Sequence, residues 1–246
     1  MSIEKIYGIH AVLAVLETSP ERITRLIVQA GREDKRAQEV LELAERAHIS
    51  PVSLSRQEMD DYVKDERHQG IIAECEVGAT YNESDIESLL DAATTTPLIL
   101  ILDGVQDPHN LGACLRSANA AGAQMVIAAK DRSVGLTPSV RKVACGAAET
   151  TPFIQVTNLA RTMRVLQDRG IWIYGAAGEA KSTIYKVDLK GAVALVLGAE
   201  EKGLRRLTRE HCDGLATIPM TGTVSSLNVS VATGICLFEA LRQRGV

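Results

Sequence analysis

The run Leu98-Ile-Leu-Ile-Leu102 constrains this chain more than any other stretch. Five residues that are apolar on both faces make a strand shielded from water on either side, the mark of a strand inside a parallel sheet. The pattern recurs at residues 125–129, 153–156, 171–174 and 192–197. Between these runs, apolar residues fall at helical spacing over 111–121, 138–148, 159–169 and 204–212, with Gly122 and Gly170 as stops. Alternating strands and helices predict an α/β fold, an open parallel sheet covered by helices. Ligands of such sheets sit at the carboxyl ends of the strands. Three loops of unusual polar content fall at such ends: after Leu102, after Leu197 and after Ile218.

Residues 1–76 follow a different rhythm. Helices are expected at 10–17, 35–47 and 57–63, and strands at 26–28, 52–54 and 70–73, together a small α/β unit. In the second helix Ala37, Val40, Leu41 and Ala44 form the apolar stripe. Residues 77–96 carry Gly78, Asn82, an acidic stretch and Thr94-Thr-Thr-Pro97. They read as a linker with one short helix over 86–92. The expected organisation is thus an N-terminal domain at 1–76, a linker at 77–96 and a C-terminal domain at 97–246.

Hydrophobic content of 46% and charged content of 24% over 246 residues belong to a globular chain with ample core. No apolar run reaches the roughly 18 residues of a membrane helix, and Met-Ser-Ile-Glu-Lys lacks the apolar region of a signal peptide. The five cysteines are odd in number, scattered and without a C-x-x-C pair, so they read as reduced thiols rather than a disulfide frame or zinc site. A cytoplasmic protein with no membrane partner and no metal is expected. The net charge of −4 argues against a nonspecific nucleic-acid binder, yet it hides an asymmetry. Residues 1–76 hold 10 Lys+Arg against 15 Asp+Glu, whereas 97–246 hold 17 against 12. The basic excess lies with the polar loops, which favours a polyanion there; a solvated surface is the bland alternative.

The third loop is the richest. Pro219 ends a strand over 215–218, and Gly222 is expected to let the backbone bend where a side chain would clash. Ser225, Ser226 and Asn228 then crowd polar groups before an apolar run, as at a capped helix N-terminus, and capping alone would explain one of the three. The first loop opens a helix on which Leu111, Cys114, Leu115 and Ala118 make the buried stripe, leaving Gly112, Arg116 and Asn119 on another face. In the second, Gly198 and Gly203 bracket Glu200 at a strand end. The usual nucleotide signatures are missing: no G-x-G-x-x-G follows an early strand, and Gly178-Glu-Ala-Lys-Ser182 has the wrong spacing for a phosphate loop.

Taken in order, N-x-G-A-x-x-R at Asn110–Arg116, G-x-E-x-x-G-L at Gly198–Leu204 and S-L-N-V-S-V-A at Ser226–Ala232 resemble the SpoU/TrmH group of the SPOUT methyltransferases. Ile6-Tyr-Gly-Ile-His-Ala-Val12 and His68-Gln-Gly-Ile-Ile-Ala73 are similar to the substrate domain of that group's bacterial 23S rRNA guanosine-2′-O-methyltransferases. The resemblance implies a deep trefoil knot in the C-terminal domain, preceded by a small ribosomal-protein-like RNA-binding domain. It implies transfer of a methyl group from S-adenosylmethionine (SAM, also AdoMet) to a guanosine ribose in the peptidyl-transferase P-loop region of 23S rRNA. It further implies a homodimer joined through the knot, with residues of both subunits in each site. SAM contacts carried over fall at Leu197, Gly198, Gly203, Ile218, Met220 and Leu227. The family makes the arginine matching Arg116 a general base. Because a guanidinium is effectively never deprotonated in proteins, a clamp on the neighbouring phosphate is the better physical role. Asn110, Ser226 and Asn228 would orient ribose and methionine groups, and Glu200 would hold its loop or a partner residue. Two rivals stay open: a tRNA ribose 2′-O-methyltransferase, and a noncatalytic RNA-binding or ribosome-assembly protein on the same fold.

Overall fold

The computed structural model describes residues 3–64, 68–78, 81–199 and 202–246. The first unit is a four-stranded sheet built from β1 (Ile3–Tyr7), α1 (Ile9–Thr18), β2 (Ile23–Gln29), α2 (Lys35–Arg46), β3 (Val52–Leu54), α3 (Arg56–Val63) and β4 (Ile71–Glu76). Its order is β1-β4-β2-β3, with β4 antiparallel to both neighbours and β2 parallel to β3. β1 escapes the apolar pattern because only Ile6 of its five residues is fully buried. In α2, Asp34 caps the first turn by accepting from the Arg36 and Ala37 amides, and Ala37, Val40 and Ala44 face inward. Leu41, expected in that stripe, is exposed.

The expected parallel sheet is present, with seven strands. After α4 (Ile86–Asp91) come β5 (Leu98–Asp103), α5 (Pro108–Ala120), β6 (Met125–Ala129), α6 (Pro138–Ala144), α7 (Ala147–Thr150), β7 (Phe153–Val156), α8 (Leu159–Asp168) and β8 (Trp172–Ala176). Then follow β9 (Ser182–Thr183), β10 (Val193–Gly198), α9 (Arg206–Glu210), β11 (Gly214–Thr217) and α10 (Val229–Arg244). The order is β7-β6-β5-β10-β8-β11-β9, every pair parallel. Side chains alternate across each strand, so β5 feeds two cores. Leu98, Leu100 and Leu102 pack with Leu111, Leu115 and Leu237 of α5 and α10. Ile99 and Ile101 pack with Met163 and Leu166 of α8 on the other face. Ile86 and Leu90 join that second core, so α4 is seated on the sheet rather than carried free in a linker.

Two expectations change. The helix expected over 138–148 is two, α6 and α7, because Cys145 (φ 50°, ψ 46°) and Gly146 (φ 92°) leave helical backbone between them. The two-residue β9 was missed because Ser182-Thr183 carries no apolar signal, and among the described residues it pairs with β11 alone. At the far end of α10, Arg244 donates to the carbonyl oxygens of Thr96, Pro97, Leu189 and Gly191 and pins the helix under the sheet. Because the sheet is parallel, the carboxyl ends of β5, β10 and β11 open on one edge, where the three polar loops meet.

Candidate active site

Asp103 organises this edge. It closes β5 opposite Gly198 of β10, and its side chain is buried. Its carbonyl oxygen accepts from the Ala199 amide at 3.1 Å. Its carboxylate accepts from the Arg205 amide at 2.9 Å and from the Arg205 guanidinium. One residue thus ties down both ends of the loop between β10 and α9. Glu200, expected in that loop, lies outside the described residues.

Beneath the loop is a cavity of about 210 Å³. All six residues expected to hold the cofactor line it: Leu197, Gly198, Gly203, Ile218, Met220 and Leu227. Ser225 and Ser226 line it too. Leu197, Ile218, Met220 and Leu227 give apolar walls, while Gly198 and Gly203 carry no side chain to cover the backbone there. A flat heteroaromatic base packs between such walls and bonds to backbone along its edge. This residue set therefore fits the adenosine part of SAM. A second cavity, of about 340 Å³, lies between the β5 end and the same loop. The two share Ala199, Lys202, Gly203 and Val229.

Asn110 sits in the first turn of α5 and lines the second cavity. Asn228 is the N-cap of α10, its Oδ1 accepting from the Ser230 amide at 2.9 Å. Its Nδ2 donates to Asn110 Oδ1 at 2.9 Å, so asparagines 118 residues apart meet where α10 starts beside α5. Cys114 and Thr233, 3.3 Å apart, continue the contact of α5 with α10. Of the three polar residues expected at this helix start, Asn228 caps, and Ser225 and Ser226 face the first cavity. Gly222 is not needed as a steric gap: a Cβ there would meet nothing within 4 Å, and its φ lies outside the left-handed region.

Arg116 stands apart. It is exposed on α5 and donates to Cys145 Sγ at 3.6 Å, and it is not among the described residues lining either cavity. The face it shares with Gly112 and Asn119 is the one that meets α6 and α7. A Cβ at Gly112 would stand 2.6 Å from that of Val143, and Asn119 donates to Thr150 and Thr151. Sequence reasoning missed Asp103 and Arg205 as functional residues. The available signal was a carboxylate ending a strand otherwise wholly apolar.

Comparison with known proteins bears on the fold and the family. Residues 97–238 match the model of the SpoU rRNA Methylase family, and residues 5–77 match that of the RNA 2′-O ribose methyltransferase substrate-binding domain. The 23S rRNA (guanosine-2′-O-)-methyltransferase RlmB of Coxiella burnetii is 58% identical, over 98% of this chain and 96% of that one. RlmB of Escherichia coli is 57% identical, over 98% of this chain and 99% of that one. Among solved structures, the SpoU methyltransferase AviRb of Streptomyces viridochromogenes in complex with AdoMet aligns with a TM-score of 0.78 at 23% identity. That alignment covers 98% of this chain and 90% of AviRb, and it speaks to fold. With a family model matched across the whole parallel-sheet unit and relatives this similar over nearly the full length, the chain belongs to the SpoU rRNA methylase family.

Proposed function

We propose that this protein is a SAM-dependent methyltransferase acting on the ribose 2′-oxygen of a guanosine in 23S rRNA. The observation that carries the reading is the convergence of all six expected cofactor residues on one cavity, in a chain 57–58% identical to enzymes of that name. When bound, SAM supplies a methyl group already activated on a sulfonium, so no Lewis acid is called for. The protein's own residues must seat the ribose and stabilise negative charge as its hydroxyl proton leaves for water. Asn110, at the second cavity, and Asn228 hold each other and orient ribose and methionine groups. Ser226 adds a hydroxyl on the cofactor side.

Arg116 clamps the phosphate beside the target ribose, where a guanidinium offers paired donors and stabilises a developing alkoxide. Since it lies outside both cavities of its own subunit, it serves the site of a partner: we read the protein as a homodimer joined through a knotted C-terminal domain. The N-terminal unit chooses the RNA and the C-terminal unit performs the transfer, in the cytoplasm. The test is transfer of tritium from labelled SAM to purified 23S rRNA in EDTA, with the methylated nucleotide mapped. A single 2′-O-methylguanosine is expected, and Arg116→Ala should lose transfer while keeping SAM affinity. Label in tRNA instead, or in no RNA, would overturn the proposal in favour of the corresponding rival.

A further inference from the structure

The second cavity is the less explained of the two, and its lining is chemically lopsided. Val105 and Val229 are buried and give it apolar walls. Arg132, 3.5 Å from Asp131, and Lys202 add cations to the lining. Two carboxylates, Asp103 and Asp107, and the amide of Gln106 also line it. Asp103 is occupied, since Arg205 takes its carboxylate through both backbone and guanidinium. Asp107 is not. As N-cap of α5 it accepts from the His109 amide at 3.0 Å through Oδ1, the one hydrogen bond of its carboxylate among the described residues. A carboxylate has about four acceptor sites, so most of its capacity is unused. Gln106 and Asp107 are both exposed.

A group entering here therefore meets apolar walls for a flat face, a carboxylate with an amide for an edge, and cations for a phosphate. Through the shared wall it also lies beside the cofactor cavity. Among the four RNA bases, guanine alone presents two adjacent donors, N1–H and N2–H₂, next to an acceptor, O6. A carboxylate accepts from the donor pair while an amide donates to O6. Adenine offers an acceptor at N1, and uracil offers one donor between two acceptors. Enzymes that act on a single nucleotide read its Watson–Crick edge in such a pocket, and cationic contacts to phosphate position the strand without specifying it. Resting on the activity proposed above, we infer that this cavity seats the target guanine, with Asp107 reading N1–H and N2–H₂, Gln106 reading O6, and Arg132 and Lys202 holding phosphate.

Asp107→Asn isolates the base-reading role from the structural one. Asparagine caps a helix as well as aspartate does, so α5 and the Asn110–Asn228 pair keep their places. The carbonyl oxygen stays on the cap and an NH₂ replaces the free acceptor, facing guanine's donors with a donor. The experiment compares single-turnover methylation, at saturating SAM, of a 23S rRNA fragment carrying guanosine or inosine at the target. Inosine lacks the 2-amino group and nothing else. The wild-type enzyme should slow by about tenfold or more on inosine, the loss of one hydrogen bond to a charged acceptor. Asp107→Asn should slow by at least as much on guanosine and treat the two RNAs within about twofold, with SAM affinity by calorimetry unchanged. If Asp107→Asn discriminates against inosine as strongly as wild type, the inference is overturned. If SAM affinity falls while discrimination persists, the cavity holds the methionine end of the cofactor, and the inference is overturned as well. A wild type that leaves the guanosine RNA unmethylated would overturn the proposed activity itself, and this inference with it.

Discussion

Gly198 ends β10 where the cofactor loop turns back on itself. A Cβ at that position would run into the carbonyl group of Gly203 and the amide of Leu204. These are backbone atoms, and no rotamer change moves them aside. Gly198→Ala must therefore push the loop off its anchor at Asp103. Overpacking a closed site costs about 1–3 kcal/mol, so SAM affinity measured by calorimetry should fall by about tenfold. Gly222→Ala, with open space around its Cβ, should leave affinity within about twofold. Equal losses from the two would show that the loop is not sterically closed. Gly198 and Gly203 were legible in the sequence because two glycines around a carboxylate at a strand end stand out. The Asp103–Arg205 pair was not, because its partners are 102 residues apart and each is an ordinary charged residue until the fold buries one.

At the scale of elements, the strands were legible because burial on both faces leaves an apolar run, and the ends of β6 and β7 fall where the runs do. The break between α6 and α7 was not legible. Val140, Ala144 and Ala147 are all buried and continue one apolar spacing straight through it. What breaks the helix is tertiary: a Cβ at Gly146 would lie 2.7 Å from that of Ala14 and 2.9 Å from the His10 carbonyl oxygen. Helix α1 of the first unit is thus seated on the break, and Cys145 beside it touches Arg116. Gly146→Ala should lose stability twice over, through its positive φ and through contact with α1. Gly122→Ala supplies the comparison, for its φ of 67° is also left-handed but its surroundings are empty. The left-handed conformation alone costs about 1–2 kcal/mol. Denaturant titration should place Gly146→Ala below Gly122→Ala by a further 1 kcal/mol or so, the cost of overpacking. Matching values for the two variants would mean that α1 does not press on the break.

Across the whole molecule, the charge asymmetry of the sequence pointed to a polyanion near the polar loops and said nothing of ion pairs that join the two units. Four side chains make them. From the first unit come Glu4 and Arg22, and from the second Arg141 and Glu149. Arg22 lies 2.9 Å from Glu4 and 3.3 Å from Glu149, and Arg141 lies 3.2 Å from Glu4 and pairs with Glu149 as well. Each arginine touches both glutamates, so the charges alternate around a neutral ring. Glu149 is the most enclosed of the four, with 2% of its side chain exposed against 14–19% for the rest. Glu149→Gln keeps the shape and removes one negative charge, leaving two guanidiniums to share Glu4. Breaking a buried pair costs about 3–5 kcal/mol. The amide oxygen can still accept one hydrogen bond, and the arginines reach some solvent, so about 2–3 kcal/mol is expected here. The loss should fall on the docking of the two units rather than on either core, since the ring joins them and of its four residues only Glu4 lies in a sheet, in β1. Limited proteolysis reads this directly: cleavage between the units should speed up by about thirtyfold or more, while each fragment stays resistant. Glu83→Gln is the matched control, because its partner Arg161 is 63% exposed and a surface pair contributes about 1 kcal/mol or less. A Glu149→Gln chain cut no faster than the Glu83→Gln chain would place the junction elsewhere, with α1 on the break at Gly146 carrying it alone.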